Sequence, residues 1–103
     1  MAVVGVTTLT LKPDGYEDYL LLARKSKALV EKCGGKNIRL LAALVAGEAT
    51  GTMVFTFEAD DLASWGAVGD KFMADPEGVA LMSTGSSGPI ATQQLSGWID
   101  VPL

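Results

Sequence analysis

Residues 38 to 46 read IRLLAALVA, an almost unbroken apolar run interrupted only by Arg39. A run of this length reads as a β-strand covered on both faces; a half-exposed strand would alternate apolar with polar positions. Any fold for this chain therefore has to supply two covers for this strand. Immediately after it, Gly47, Glu48 and Ala49 form a short turn. TGTMVFTFE follows, with Met53, Phe55 and Phe57 facing one way and Thr52, Val54 and Thr56 the other, so the two segments form a hairpin.

The flanking segments carry two other periodicities. Val3 to Leu11 alternates, with Val4, Val6, Thr8 and Thr10 on one face and Val3, Thr7, Leu9 and Leu11 on the other, which predicts a first strand. Pro13, Asp14 and Gly15 stop it, and Asp14 with Glu17 three residues on has the spacing of a capping box. Tyr16, Tyr19, Leu20, Ala23, Val30 and Cys33 then recur at helical spacing, and Gly34 with Gly35 supplies the left-handed backbone that ends a helix. A second helix begins at Asp60 or Asp61, with Leu62, Trp65, Val68, Phe72 and Met73 along one stripe. Asp75 caps a further short helix through Val79 and Met82, with Pro76 at its first position. Ser83 to Pro89 (STGSSGP) reads as a linker or flap, and Ile90 to Val101 as a last strand in which Gly97 marks a bulge.

The order is strand, helix, strand, strand, helix, strand, which is the α+β ferredoxin-like arrangement βαββαβ with a four-stranded antiparallel sheet. Both helices of such a fold cover the same sheet face. The apolar second strand then needs a cover on the other face, and a second copy related by a two-fold axis provides it most economically. Composition points the same way: 49% of the residues are hydrophobic, more apolar surface than one small core consumes. The 103 residues fit a single domain spanning 1–103.

Several chemistries are set aside by residue type. Histidine is absent, which removes the usual proton carrier near neutral pH and the commonest metal ligand. Cys33 is the only cysteine, so neither an intrachain disulfide nor a zinc site of the Cys/His kind can be built, and no metal or other cofactor is expected. The net charge of -4 argues against a nucleic-acid partner. No apolar stretch is long enough for a membrane helix, and no cationic leader precedes the first apolar segment, so the expectation is a soluble cytoplasmic protein. Charge is unevenly spread, at +3 over residues 1–40 and -7 over the remainder. That asymmetry either orients two subunits or marks ordinarily solvated helix faces.

The segment DDLASWGAVGDKFMADPEG, with its acidic start, central Trp65, Phe72 and a break at Asp75-Pro76-Glu77-Gly78, resembles the second helix of the dimeric α+β barrel superfamily, in particular its antibiotic biosynthesis monooxygenase-like and uncharacterised branches. The element order of the whole chain fits the same resemblance. It implies a homodimer whose two sheets meet to form the barrel, with a ligand pocket inside each subunit between sheet and helices. The haem-degrading branch of that superfamily is similar at Trp65, but it uses a histidine about three turns later and an asparagine on the first strand. Here those regions read Met73-Ala74-Asp75-Pro76 and only Val, Thr and Leu, so the resemblance does not extend to haem.

Tyr16, Tyr19, Arg39, Trp65 and Phe72 are the candidate pocket residues: aromatics on the inward helix stripes, and a guanidinium within an apolar strand. Each also has an ordinary role in a core, at a rim or at a strand end. Trp98 shares a strand face with Thr92, Gln94 and Ser96, a mixed surface suited to a subunit interface. Glu58, Asp70 and Asp75 qualify as proton acceptors only if buried, because burial raises a carboxylate pKa. No catalytic residue is assigned, and whether the chain is an enzyme stays open. Three functions fit: binding of a small apolar or aromatic molecule, a cofactor-independent monooxygenase or isomerase, and an oligomeric structural module with no pocket. A cavity between sheet and second helix separates the first two from the third.

Overall fold

The computed structural model describes residues 2–44 and 51–103. Strand β1 spans Val3–Leu11, helix α1 Tyr16–Lys32, β2 Lys36–Ala42, β3 Met53–Ala59, α2 Leu62–Ala74, α3 Pro76–Ser87 and β4 Ile90–Ile99. The four strands form one sheet in the order β2-β3-β1-β4, with every neighbouring pair antiparallel. This is the ferredoxin-like α+β fold expected from the sequence.

Register decides what each strand presents. Leu9 pairs with Met53 and Gln93, Thr7 with Phe55 and Leu95, and Val3 with Ala59 and Ile99, so these side chains share the face beneath the helices. Val4, Val6, Thr8 and Thr10 share the opposite face with Glu58, Thr56 and Val54 of β3 and with Trp98, Ser96, Gln94 and Thr92 of β4. No element among the described residues covers that second face.

Strand β2, which carries the apolar run, lies at the edge of the sheet. Its burial alternates weakly, and Leu41 is 39% exposed, because only the helix face of β2 has a neighbouring layer among the described residues. The expectation of a strand covered on both faces is thus not met among the described residues; Val45, Ala46 and the turn at 47–49 lie outside them.

The helix boundaries correct three further expectations. Asp14 adopts a left-handed backbone (φ +62°) in the turn closed by the Gly15 amide on the Lys12 carbonyl, so Gly15 is the N-cap and no capping box forms. Gly34 alone of the glycine pair is left-handed (φ +105°). Gly35 is there because a Cβ would collide with Val30. The STGSSGP stretch is not a linker: α3 continues to Ser87, where the hydroxyls of Ser86 and Ser87 donate to carbonyls one turn back. The buried Gly85 in that turn lets Ile90 and Leu22 approach.

Asp61 and Asp75 behave as the sequence suggested. The Asp61 carboxylate accepts from the Ser64 amide at 2.7 Å, and that of Asp75 from the Glu77 amide at 2.9 Å, with Pro76 at the start of α3. Strand β4 ends at Ile99 rather than Val101, and its irregularity falls between Thr10 and Leu11 of β1, not at Gly97.

The apolar core divides into two clusters. Leu9, Tyr19, Ala23 and Met53 form one, beneath the first half of α1. Leu29, Val30, Cys33, Val68 and Leu81 form the other, where α1, α2 and α3 converge.

Candidate functional site

Between these two clusters lies a cavity of about 210 Å³. Its floor is the helix-facing side of the sheet: Thr7 and Leu9 of β1, Phe55 and Phe57 of β3, and Ile90, Gln93 and Leu95 of β4. Tyr19, Leu22, Ser26 and Val30 of α1 close one side, Val68, Gly69, Phe72 and Met73 of α2 the other, and Leu81, Met82 and Gly85 of α3 the end. The exposed residues of this lining are Gly69, Met73, Gln93 and Leu95, so the cavity opens between α2 and the edge strand β4. Met73 and Leu95 are 53% and 67% exposed, apolar side chains standing at a mouth.

The chemistry of this lining is narrow. Hydrocarbon dominates, and the polar groups are the hydroxyls of Thr7, Tyr19 and Ser26 and the amide of Gln93. Among the described residues, no carboxylate, amine or guanidinium lines the cavity. Tyr19 is buried, and loss of hydration around its phenol pushes its pKa up to about 12. It therefore keeps its proton at neutral pH and acts as a hydrogen-bond donor, and its hydroxyl makes no hydrogen bond to a described residue.

Two of the five pocket residues chosen from sequence, Tyr19 and Phe72, meet across this cavity. The other three lie outside it. Tyr16, at the first position of α1, is 53% exposed and does not line the cavity. Arg39 borders a separate depression between α1 and β2. Trp65 lies over Gly5 and Gly97, which pair across β1 and β4. A Cβ on Gly5 would stand 2.6 Å from Trp65 Nε1 and from Phe57 Cε1, and one on Gly97 3.3 Å from the indole. Both glycines serve as the bed of this ring. Trp65 Nε1 is buried there with no hydrogen-bond partner among the described residues. Trp65 and Phe72 thus leave the space between sheet and helices unfilled.

Sequence reasoning missed Thr7, Ser26 and Gln93, whose only signal is a polar residue on an otherwise inward-facing stripe. The carboxylates considered as proton acceptors are engaged elsewhere or exposed. Glu58 accepts from Asn37 Nδ2 at 3.0 Å, Asp75 caps α3 and lies 3.7 Å from Lys32, and Asp70 faces solvent. No charged side chain is buried among the described residues, and none of their acidic or cysteine side chains cluster as a metal site would require. On the uncovered sheet face, Trp98 is 61% exposed and its indole donates to Ser96 Oγ at 2.8 Å, while the Thr10 and Thr92 hydroxyls hydrogen-bond each other and Gln94 stands exposed.

The chain is similar to a NIPSNAP family protein from Agrobacterium tumefaciens (TM-score 0.79, 14% identity, covering 97% of this chain and 86% of that one). It is similar also to an uncharacterised NIPSNAP-like domain protein from Burkholderia xenovorans (TM-score 0.76, 15% identity, 97% and 85%). A third likeness is to a variant of SnoaB, a cofactor-independent oxygenase from Streptomyces nogalater (TM-score 0.74, 13% identity, 99% and 95%).

The likeness is one of fold. The chain shares the ferredoxin-like α+β fold of these NIPSNAP and antibiotic biosynthesis monooxygenase-like proteins. No protein-family model matches the chain, and no curated protein does. Among the described residues, no helix is long and apolar enough to cross a membrane.

Proposed function

We propose that this protein binds a small, uncharged, largely apolar or aromatic molecule in the cavity under its helices, as one subunit of a homodimer. One observation carries the reading: a cavity of about 210 Å³ lined by hydrocarbon, with neutral hydroxyls and one amide as its polar groups. An apolar protein cavity of roughly 150 Å³ accommodates benzene, so this one takes one or two rings, with any longer substituent leaving by the mouth. A charged ligand would lose its hydration and find no counter-ion there.

The second copy is supported by the bare face of the sheet. Val4, Val6, Val54, Leu41 and Trp98 stand on it with no covering layer in the subunit, and the fold is one from which dimeric barrels are made. The three helices pack on one sheet and share one cavity, which supports reading residues 1–103 as a single domain. Cys33, free and buried, fits a reducing cytoplasmic compartment.

The test is a titration with naphthol, followed by amide NMR, on the natural protein and on Gly69→Leu. A Cβ at Gly69 meets nothing within 4 Å, so the substitution is accommodated and places its side chain at the mouth. Saturable shifts at Tyr19, Phe72 and Leu81 that weaken at least about tenfold in the variant support the reading. Equal binding by both proteins would refute it.

A second reading, cofactor-independent oxygenation or isomerisation, is supported by the fold shared with SnoaB and by the Tyr19 phenol on the cavity wall. Because that phenol holds its proton, the substrate would have to ionise by itself and supply the electrons to oxygen. Oxygen uptake above buffer on adding a reduced naphthoquinol, lost in Gly69→Leu, tests it.

A further inference from the structure

Arg39 is the one charged residue of the apolar run, and register puts it on the bare face of the sheet. It pairs with Thr56, which pairs with Val6, which in turn pairs with Ser96, so these four share one row of that face. The next row holds Glu58, Val4 and Trp98. A guanidinium at the edge and a carboxylate on the inner strand β3 thus stand on one surface made otherwise of apolar and hydroxyl side chains.

Neither charge is neutralised among the described residues. Arg39 has no ion pair there, although Glu58 lies on the adjacent strand one row along. Glu58 is half-buried and accepts from Asn37 Nδ2 at 3.0 Å, an uncharged donor that occupies Oε2. Lys36, which pairs with Glu58 in register, commits its ammonium to Asp60 at 2.8 Å instead.

A partner without charge would cover this face badly, because it would take Arg39 and Glu58 out of water with no counter-charge. A second copy brings both. A two-fold axis between facing sheets makes each contact reciprocal, so where Arg39 of one protomer meets the partner's Glu58, its own Glu58 meets the partner's Arg39. The planar guanidinium suits a carboxylate that Asn37 already holds in place. The face is also large enough: four strands about 4.8 Å apart, rising about 3.3 Å per residue, give on the order of 500 Å² of sheet per copy. With the relief of its side chains, two copies approach the roughly 1,200 Å² at which specific interfaces begin.

We infer that the bare face docks a second copy of this chain in a two-fold arrangement keyed by reciprocal Arg39–Glu58 ion pairs across the interface. This contact rests on the homodimer reading, and it sets how the two sheets meet.

Charge reversal with mixing tests it, by sedimentation and native mass spectrometry at micromolar concentration. Arg39→Glu and Glu58→Arg are each expected at single-chain mass with the helix content of the natural protein, since like charges then face each other across the interface. An equimolar mixture of the two is expected to regain twice the chain mass as a heterodimer, because each chain meets the opposite charge only on its partner. Pairing inside one subunit cannot be restored by mixing, so recovery assigns the contact to the interface. Arg39→Gln and Glu58→Gln, which remove a charge without reversing it, should weaken the dimer at least about tenfold. Variants that all dimerise as tightly as the natural protein, or a mixture that stays at single-chain mass, would overturn the ion pair and leave the homodimer standing. A natural protein of single-chain mass would overturn both.

Discussion

Tyr19 ties stability to the same burial that qualifies it as a ligand donor. Its phenol titrates near 10 in an unfolded chain and at about 12 here, so ionisation favours unfolding. The folded state keeps this contribution in full below about pH 10 and loses it as pH rises toward the folded value, a loss on the order of 2 kcal/mol. Thermal melts of the natural protein should therefore fall steeply above about pH 10, and those of Tyr19→Phe much less so. Gly5→Ala tests the bed of Trp65. Its Cβ would meet Trp65 Nε1 and Phe57 Cε1, and the repacking should cost about 1–3 kcal/mol in denaturant unfolding. At this scale the sequence was only half legible. Tyr19 and Phe72 follow from helical spacing, but the Gly5–Gly97 pair is set by cross-strand register, which no local pattern encodes, and that pair draws Trp65 away from the cavity.

The N-termini of α2 and α3 were legible, because a capping aspartate acts over two or three residues. Asp75 caps α3 with its carboxylate, donates its backbone amide to the Lys71 and Phe72 carbonyls at the end of α2 and approaches Lys32, so Asp75→Ala should destabilise the protein by about 1 kcal/mol in urea unfolding. Asp61 makes a separate, pH-dependent contribution. The Ser64 backbone amide holds its carboxyl below the usual aspartate range, so its stabilisation is present above that range and disappears as pH falls through the lowered value. Asp61→Asn keeps a cap but cannot titrate, and acid melts of the variant should lack that component. Elements that failed the sequence reading did so for non-local reasons. Asp14 and Glu17 have the spacing of a capping box, yet the turn places Asp14 in left-handed backbone where its carboxylate cannot reach the helix amides. STGSSGP has loop composition, but its serines find carbonyl acceptors once α3 is packed.

For the whole molecule, the apolar run at β2 remains the most informative stretch, read now with its position known. As an edge strand it has one covered face and one bare one, and the bare face is continuous with Val4, Val6 and Trp98 across the sheet. Element order made the fold legible; it could not reveal whether the space beneath the helices is filled, since that depends on how two core clusters meet. The proposed homodimer predicts twice the chain mass in sedimentation at micromolar concentration, and Trp98→Lys, on the bare face, should shift it toward the single-chain mass without lowering helix content. A structure of the protein soaked with naphthol tests the cavity most directly. Naphthol density is expected between Phe72, Leu81 and the floor at Thr7 and Phe55, with its oxygen within hydrogen-bond distance of Tyr19, Ser26, Thr7 or Gln93. Naphthol seated only on the bare sheet face, with the cavity collapsed around Phe72, would contradict it.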